Sequence, residues 1–304
     1  MEHEQSEPTA TVLAGWRVWL LATRPATLTA AVAPVLVGTA AADAAVPLRE
    51  LPFAAALVAA VLLQIGANFA NDLADFERGA DQADRLGPPR VTQSGLVTPA
   101  TMRWATALVL VAAALIGVYL ITVAGWPILV LGAAAIVAAI AYTGGPWPFG
   151  YHGLGDAFVF VFFGLAAVAG SYFLQTEKLT GTAFAAAIPI GMTVTAILVV
   201  NNLRDIDGDR RSDKRTLAVL LGAQVSRVQY LLLVGLPYAL VTTFAAADLL
   251  PWWSLLVWAS APLASYLGWR IASRAEGRAL NPLLKQTGQL HLLFGVLLAA
   301  SFLL

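Results

Sequence analysis

The sequence contains no cysteine in its 304 residues. Disulfide bonds, thiolate nucleophiles and thiolate metal sites are therefore excluded. Charged residues are also scarce, at 12% of the chain, about half the share that is usual in soluble domains. No segment combines clustered basic residues with interleaved aromatic residues, so the sequence gives no indication of nucleic-acid binding. These absences argue against a soluble domain.

Apolar residues make up 59% of the chain and recur in long runs. The runs are roughly 17 to 25 residues long, which is the length that an α-helix needs to cross a bilayer. We therefore predict an all-α integral membrane protein, a bundle of about nine transmembrane helices. The predicted spans cover residues 18–42, 52–71, 104–123, 127–143, 155–174, 181–203, 228–246, 252–273 and 289–304.

The distribution of Lys and Arg predicts how this bundle is oriented. With the N-terminus in the cytoplasm, all but two of the 18 basic residues fall on the cytoplasmic side, and only Arg49 and Lys178 fall outside. Because basic residues concentrate in cytoplasmic loops, we predict a multi-pass protein of the cell membrane with its C-terminus outside. Residues 1–15 are acidic and lack the basic start of a signal peptide. They are predicted to form a disordered cytoplasmic tail, followed by a single domain over residues 16–304.

Acidic residues collect in two segments on the predicted cytoplasmic side. The first segment begins inside the end of the second predicted helix. Its residues Asn68, Asn71, Asp72 and Asp75 are spaced i, i+3, i+4 and i+7, and Asp81 follows. A helix that continues through this segment projects the first four side chains from one face. This is an arrangement of oxygen donors suited to a metal ion.

The second segment covers residues 201–217, at the end of the sixth predicted helix. Its carboxylates Asp205, Asp209 and Asp213 recur every four residues. The second and sixth helices run in the same direction and are separated by four spans, which suggests a weak internal repeat. We therefore expect the two acidic segments to face each other.

Neighbouring carboxylates at the membrane surface require a cation. Each unneutralised Asp at membrane depth costs about 2.5 to 3.5 kcal/mol on insertion scales, and like charges raise one another's pKa. Carboxylate and amide oxygens are hard ligands, which suit Mg²⁺ or Ca²⁺. The interleaved Arg204, Lys214 and Arg215 indicate a phosphate-bearing ligand, so the composite predicts a diphosphate site. Helix capping or loop solvation is the plainer interpretation of the same residues.

The two segments resemble the motifs of a known family. The first has the spacing Asn71-x-x-x-Asp75-x-x-x-x-x-Asp81, followed by Asp84-Arg85-x-Gly87-Pro88. The second reads Asn201-Asn202-x-Arg204-Asp205-x-x-x-Asp209, followed by Lys214-Arg215-Thr216. Both are similar to motifs of the UbiA-type intramembrane prenyltransferases. Within that family they resemble the 1,4-dihydroxy-2-naphthoate prenyltransferases of the menaquinone pathway.

The resemblance implies a reaction and a cofactor. A polyprenyl group is transferred from an allylic polyprenyl diphosphate to 1,4-dihydroxy-2-naphthoate, with decarboxylation, to give a demethylmenaquinone. Two Mg²⁺ ions are implied, and the tail of the donor lies among the helices, next to membrane lipid. The implied metal ligands are Asn71, Asp72, Asp75, Asp81, Asp205 and Asp209, and the implied diphosphate-binding set is Arg204 and Lys214, with Asn68 and Asn202 beside them.

The aromatic acid acceptor needs its own contacts at the same side of the membrane. Tyr142 and Asp156 lie near the cytoplasmic ends of the fourth and fifth predicted helices, where they are candidates to bind or deprotonate the acceptor. Hydrogen bonding at a helix end is the alternative role for both. Arg24 is a candidate partner for the acceptor carboxylate, although a basic residue is expected at that position from the charge rule alone.

Three alternative functions remain compatible with the sequence. The same chemistry on another aromatic acceptor, such as 4-hydroxybenzoate or homogentisate, would need the same motifs. A divalent-cation transporter would also carry paired carboxylates, but it would not need the interleaved Arg and Lys. A structural or partner-binding membrane protein would retain the charge bias, while its acidic clusters would be replaceable.

Overall fold

The computed structural model describes residues 15–79 and 85–304, and every regular element in these two ranges is helical. The prediction of an all-α protein is thus confirmed. A π-helical segment covers Phe160–Ala166, and a longer 3₁₀ segment covers Trp252–Ser260. The α-helices are α1 (Gly15–Thr23), α2 (Pro25–Asp43), α3 (Glu50–Glu77), α4 (Pro99–Ala124), α5 (Trp126–Ala141), α6 (Gly155–Val159), α7 (Ala167–Thr176), α8 (Gly181–Arg211), α9 (Leu217–Leu221), α10 (Ala223–Ala246), α11 (Ala261–Ala272) and α12 (Leu280–Ala300).

Seven helical segments in the described part of the chain are long and apolar enough to cross a membrane. They are Pro25–Asp43, Glu50–Glu77, Pro99–Ala124, Gly155–Thr176, Gly181–Arg211, Ala223–Ala246 and Gly277–Ala300. The other two predicted spans correspond to α5, which has only 16 residues, and to the 3₁₀ segment with α11. The count of nine spans therefore stays a prediction. Of the two predicted segments, 1–15 and 16–304, the first lies almost wholly outside the described residues.

Two of the helices extend well beyond their apolar runs. The sequence predicts spans that end at residues 71 and 203, but α3 continues to Glu77 and α8 to Arg211. Polar side chains in both extensions have hydrogen-bonding partners from neighbouring loops, so the helix does not have to end where the apolar run ends. The acidic segments consequently project as helix ends and not as irregular loops.

Small residues let the central helices approach closely. Gly38 of α2 faces the backbone of α7, where a Cβ would overlap the carbonyl oxygen of Val168. Gly164 and Gly191 meet in the same way where the π-helical segment crosses α8. Without a hydrophobic effect between helices in lipid, such close packing and interhelical hydrogen bonds provide the attraction.

The helices pack in two groups with an internal space between them. The long helix α8 packs against α2, α7, α10 and α12, whereas α3 packs against α2, α4, α5 and α7. Between these two groups the C-terminal ends of α3 and α8 face one another, as expected from the proposed repeat. The distance from Asp75 Oδ1 on α3 to Lys214 Nζ, just after α8, is 3.8 Å.

The two basic residues predicted to lie outside share the opposite end of the bundle. Arg49 precedes α3, donates its backbone N–H to Gln175 at 2.8 Å and pairs with Glu177, the neighbour of Lys178. Since α3 is about 42 Å long at 1.5 Å per residue, this end and the Asp75 end lie on opposite faces of a bilayer.

A matched pair of glycine substitutions tests the helix crossing. We expect Gly38→Ala to lower the free energy of unfolding by about 1 to 3 kcal/mol, because overpacking forces α2 away from α7. Gly235→Ala on α10 meets nothing within 4 Å, so it should leave stability unchanged or raise it slightly through helix propensity. Thermal unfolding of the purified protein in detergent measures both. Equal midpoints for the two variants would contradict the crossing.

The predicted orientation can be tested because the chain has no cysteine of its own. Lys178→Cys and Ser273→Cys place single thiols at exposed positions on the two predicted sides. We expect a membrane-impermeant maleimide to label Lys178→Cys in intact cells and Ser273→Cys only in inside-out vesicles. The reverse pattern would invert the topology.

Candidate active site

A cavity of about 520 Å³ lies between the two groups of helices. Most of its wall is apolar. It is formed by Ala, Gly, Leu, Ile and Phe residues of α2 to α8, including the π-helical segment. Its polar end lies where α3 and α8 finish. The polar wall comprises Arg24, Gln64, Asn68, Asn71, Asp75, Arg90, Tyr142, Thr143, Asn201, Asn202 and Lys214. One space therefore combines a charged head region with a long apolar region.

Asp75 is the central residue of the polar end. Its side chain is only 3% exposed, and its Oδ2 lies 2.5 Å from Arg90 Nη2. Its Oδ1 accepts a hydrogen bond of 2.8 Å from the Tyr151 hydroxyl and lies 3.8 Å from Lys214 Nζ. Helix α3 and three separate loops thus meet at one carboxylate.

The second motif reaches the same point through Lys214. Burial lowers the pKa of the Lys214 ammonium. The carboxylates of Asp75, Asp209 and Asp205 act against burial, and the net pKa lies above that of a free lysine. The chain turns sharply to place Lys214 there, because its N–H donates to the Asp209 carbonyl at 2.8 Å. Lys214 is therefore charged and lies between carboxylates of both motifs.

Arg204 is buried in a hydrogen-bonded network. Its Nε and Nη2 donate to the two Asp205 oxygens at 2.8 and 2.6 Å, and Nη2 also donates to Asn201 at 2.9 Å. Its Nη1 donates to Asn281 Oδ1 at 3.1 Å. The resemblance implies that Arg204 contacts the diphosphate. The geometry instead gives it a role in holding Asp205, since its side chain is 1% exposed and is not part of the cavity wall.

The residues of the first motif have different surroundings. Asn71 lines the cavity and accepts a hydrogen bond of 2.7 Å from the Thr143 hydroxyl. Asn68 also lines the cavity, but its amide donates to the Thr23 carbonyl and to the Thr27 hydroxyl. These bonds fix the junction of α1 and α2, where Arg24 has a left-handed backbone with φ of 50°.

Asp72 differs from its neighbours in direction. Its two carboxylate oxygens accept the backbone N–H groups of Thr92 and Val91, at 3.1 and 3.3 Å. It is 2% exposed and does not line the cavity. Helical spacing placed it on one face with Asp75, but the structure turns it toward the following loop.

The two acceptor candidates are also separated. Tyr142 lines the cavity, and its ring packs edge-on against Phe149 with the centroids 5.6 Å apart. Asp156 is buried behind the wall, where its Oδ1 accepts a hydrogen bond of 3.0 Å from Gln229 on α10. Tyr142 and Arg24 can therefore touch a molecule in the cavity of this structure, whereas Asp156 contacts α10.

Sequence reasoning missed two residues of the polar end, Tyr151 and Arg90. The Arg78 guanidinium and the Lys214 ammonium lie 5.4 and 5.1 Å from the centroid of the Tyr151 ring. Burial and the adjacent Asp75 carboxylate raise the pKa of the Tyr151 hydroxyl, so it stays protonated and donates. Neither residue is part of a periodic pattern, and only the folding of two loops brings them to Asp75.

The oxygen donors at the polar end fit a magnesium ion. In the ranges 15–79 and 85–304, no three Asp, Glu or His side chains lie close enough to hold a metal by themselves. Mg²⁺, however, usually keeps several waters and takes substrate phosphate oxygens, with only one or two protein carboxylates. The donors present are Asn71 and Asp75 on α3, which line the cavity, and Asp205 and Asp209 on α8, which lie outside the cavity wall but act on Lys214. The predicted ligand Asp81 lies outside the described residues.

Comparison with known proteins identifies close relatives. A model of the UbiA prenyltransferase family matches residues 31–303. The chain is 36% identical over 296 residues to 1,4-dihydroxy-2-naphthoate octaprenyltransferase of Haemophilus influenzae, covering 95% of this chain and 96% of that protein. It is 39% identical over 292 residues to the protein of that name from Mycobacterium tuberculosis, covering 95% and 98%.

The fold is also that of solved structures. A UbiA homolog from Archaeoglobus fulgidus bound to GPP and Mg²⁺ matches with a TM-score of 0.64 at 14% identity, covering 94% of this chain and 100% of that chain. Similarity at this low identity concerns the fold alone. With the family model and the relatives both spanning nearly all of its length, the chain belongs to the UbiA prenyltransferase family.

Proposed function

We propose that this protein transfers a polyprenyl group from an allylic polyprenyl diphosphate to 1,4-dihydroxy-2-naphthoate. The acceptor loses its carboxyl group as CO₂, and the product is the reduced, quinol form of a demethylmenaquinone. The observation that carries the proposal is one cavity whose polar end contains Asp75 of the first motif, Lys214 of the second motif and Arg90, next to a long apolar wall. The acceptor is proposed from the names of the two relatives described above.

The donor fits this cavity in one direction. Its apolar tail lies against the Ala, Gly, Leu and Phe residues of the wall. Binding there is favourable because it keeps the hydrocarbon surface of the tail away from water. Its diphosphate lies at the polar end, where Lys214 and Arg90 both lie beside Asp75. Arg204 supports them indirectly by fixing the Asp205 carboxylate.

Mg²⁺ would be held by Asn71, Asp75, Asp205 and Asp209, because carboxylate and amide oxygens are the ligands that this ion prefers. Two ions are proposed, as the resemblance implies, with Asp81 as a further ligand. When bound, the metal supplies positive charge that stabilises the departing diphosphate. Asp72 is left out of this ligand set, because it does not line the cavity, unlike Asn71 and Asp75 on the same helix, and its oxygens accept two backbone amides of the following loop.

The acceptor reacts at the ring carbon that carries its carboxylate. The allylic C–O bond breaks, and the diphosphate leaves with the electron pair. The ring carbon then forms the new C–C bond, and loss of CO₂ restores the aromatic ring without a net change in protons. Tyr142 and Arg24 line the cavity and are proposed to contact the acceptor ring and its carboxylate. Asp156 is proposed only to position the adjacent helix through Gln229.

The proposed site faces the cytoplasm of a cell membrane. This placement rests on the charge bias of the loops, since Lys214, Arg90 and Arg204 share the end of the bundle opposite Arg49 and Lys178. Both the soluble aromatic acid and Mg²⁺ then reach the polar end from the cytoplasm.

The function is tested by product formation in detergent. The purified protein is given a long-chain allylic diphosphate, Mg²⁺ and either 1,4-dihydroxy-2-naphthoate or 4-hydroxybenzoate, with EDTA as a control. We expect a Mg²⁺-dependent product whose mass includes the prenyl group and lacks the naphthoate carboxyl. Product from 4-hydroxybenzoate alone would retain the mechanism and reject the acceptor. No product from either acceptor, together with Mg²⁺ flux in proteoliposomes, would favour a transporter.

Two aspartates of the second motif give a matched pair. Asp209 Oδ2 accepts a hydrogen bond of 3.4 Å from the Thr216 hydroxyl, and its charge raises the pKa of Lys214, whereas the Asp207 side chain is 76% exposed and lies 3.5 Å from Arg210. We expect Asp209→Asn to lower kcat/KM by about 10²- to 10³-fold, as is typical when one stabilising group is removed from a transition state. Asp207→Asn should leave kcat/KM nearly unchanged. Similar losses in both variants would show that the motif acts through its net charge and not through position.

A further inference from the structure

We propose that Arg90 binds the diphosphate of the donor and that Asp72 is the residue that positions Arg90. The inference rests on the proposed function. It gives Asp72 the role of a positioning residue, whereas the resemblance of its motif implies a metal ligand. It follows from how residues 86–97, here called the docked loop, contact the ends of α3 and α8.

Asp72 anchors the middle of the docked loop. Its carboxylate accepts the N–H groups of Val91 and Thr92, which directly follow Arg90. All three residues are buried, with Val91 at 0% and Thr92 at 3% exposure. Hydrogen bonds to a charged acceptor are stronger than neutral ones, so the backbone beside Arg90 is firmly held.

The docked loop is also held by its own turn and by apolar packing. The backbone N–H groups of Leu96 and Val97 donate to the Val91 carbonyl at 3.0 and 3.2 Å, which closes a compact turn. Val91 and Val97 belong to a buried cluster with Met102 and with residues of α1 and α3. The position of Arg90 is therefore set by a rigid segment.

The first part of the docked loop contacts the second motif. The Asn281 side chain donates to the Leu86 carbonyl at 2.8 Å and also accepts from Arg204. Gly87 lies against the Arg204 guanidinium, where a Cβ would lie 2.8 Å from Nη2. The docked loop thus spans the gap between the ends of α3 and α8, and Arg90 projects from it into the cavity.

The position of Arg90 suits an anionic group of the substrate. It is 6% exposed, forms part of the cavity wall and shares the Asp75 carboxylate with Lys214. A guanidinium also has the planar fork that binds phosphate oxygens in pairs.

Binding of inorganic pyrophosphate to the purified full-length protein, measured by calorimetry with Mg²⁺, tests the role of Arg90. We expect Arg90→Gln to raise the Kd about 10-fold or more, the loss typical of one charge-assisted hydrogen bond. Arg90→Lys should recover part of this loss. The control is Arg103→Gln, because Arg103 pairs with Glu77 at an exposed position. An unchanged Kd in Arg90→Gln would overturn the proposal.

A double-mutant cycle tests whether Asp72 acts through Arg90. We expect Asp72→Ala to raise the pyrophosphate Kd in the wild-type background and to add little in the Arg90→Gln background. Asp72→Asn keeps one amide acceptor and should lose less than Asp72→Ala. The Mg²⁺ concentration for half-maximal activity should stay unchanged in all Asp72 variants. Additive effects, or a shift in the Mg²⁺ requirement, would make Asp72 a metal ligand and reject the positioning role.

These experiments separate the inference from the proposed function. Pyrophosphate binding needs neither the naphthoate nor a prenyl chain. If the wild-type protein forms no prenylated naphthoate but its pyrophosphate affinity depends on Arg90 and Asp72 as described, the acceptor proposal fails and the inference stands.

Discussion

A carboxylate buried at the end of a long apolar helix sets the requirements for one end of this helical bundle. Asp75 is almost inaccessible, and leaving such a charge without its partner costs about 3 to 5 kcal/mol. Its partners Arg90, Lys214 and Tyr151 come from three different connections between helices. Each connection must therefore fold back over the end of the bundle. The polar end of the cavity results from the need to pair one buried charge.

Much of this arrangement could be predicted from the sequence because it depends on periodicity and composition. Apolar run lengths indicate the helices, and the four-residue spacing of Asp205 and Asp209 indicates one helix face. The family and the helical fold are confirmed, whereas the predicted diphosphate site stays a proposal. The orientation in the membrane stays a prediction.

The parts that could not be predicted depend on contacts distant in sequence. Asp72 and Asp75 are three residues apart on α3, so helical spacing gives them the same face. Only the path of the docked loop decides that Asp72 binds backbone amides. Likewise, the adjacent Arg204 and Asp205 bind each other only because Asn281 and Asn201 complete the site around the guanidinium. Such choices are made by tertiary packing and leave no local pattern.

The π-helical segment Phe160–Ala166 affects which residues of its helix face the cavity. Residues 158, 162, 166, 170 and 174 all line the cavity, at a constant interval of four. In a regular α-helix of 3.6 residues per turn, this series would rotate by roughly 160° over its length and leave the cavity. A π turn contains more residues than an α turn, so the π-helical segment reverses part of that rotation. One helix can thus present a continuous apolar strip to a long hydrocarbon chain without bending around it.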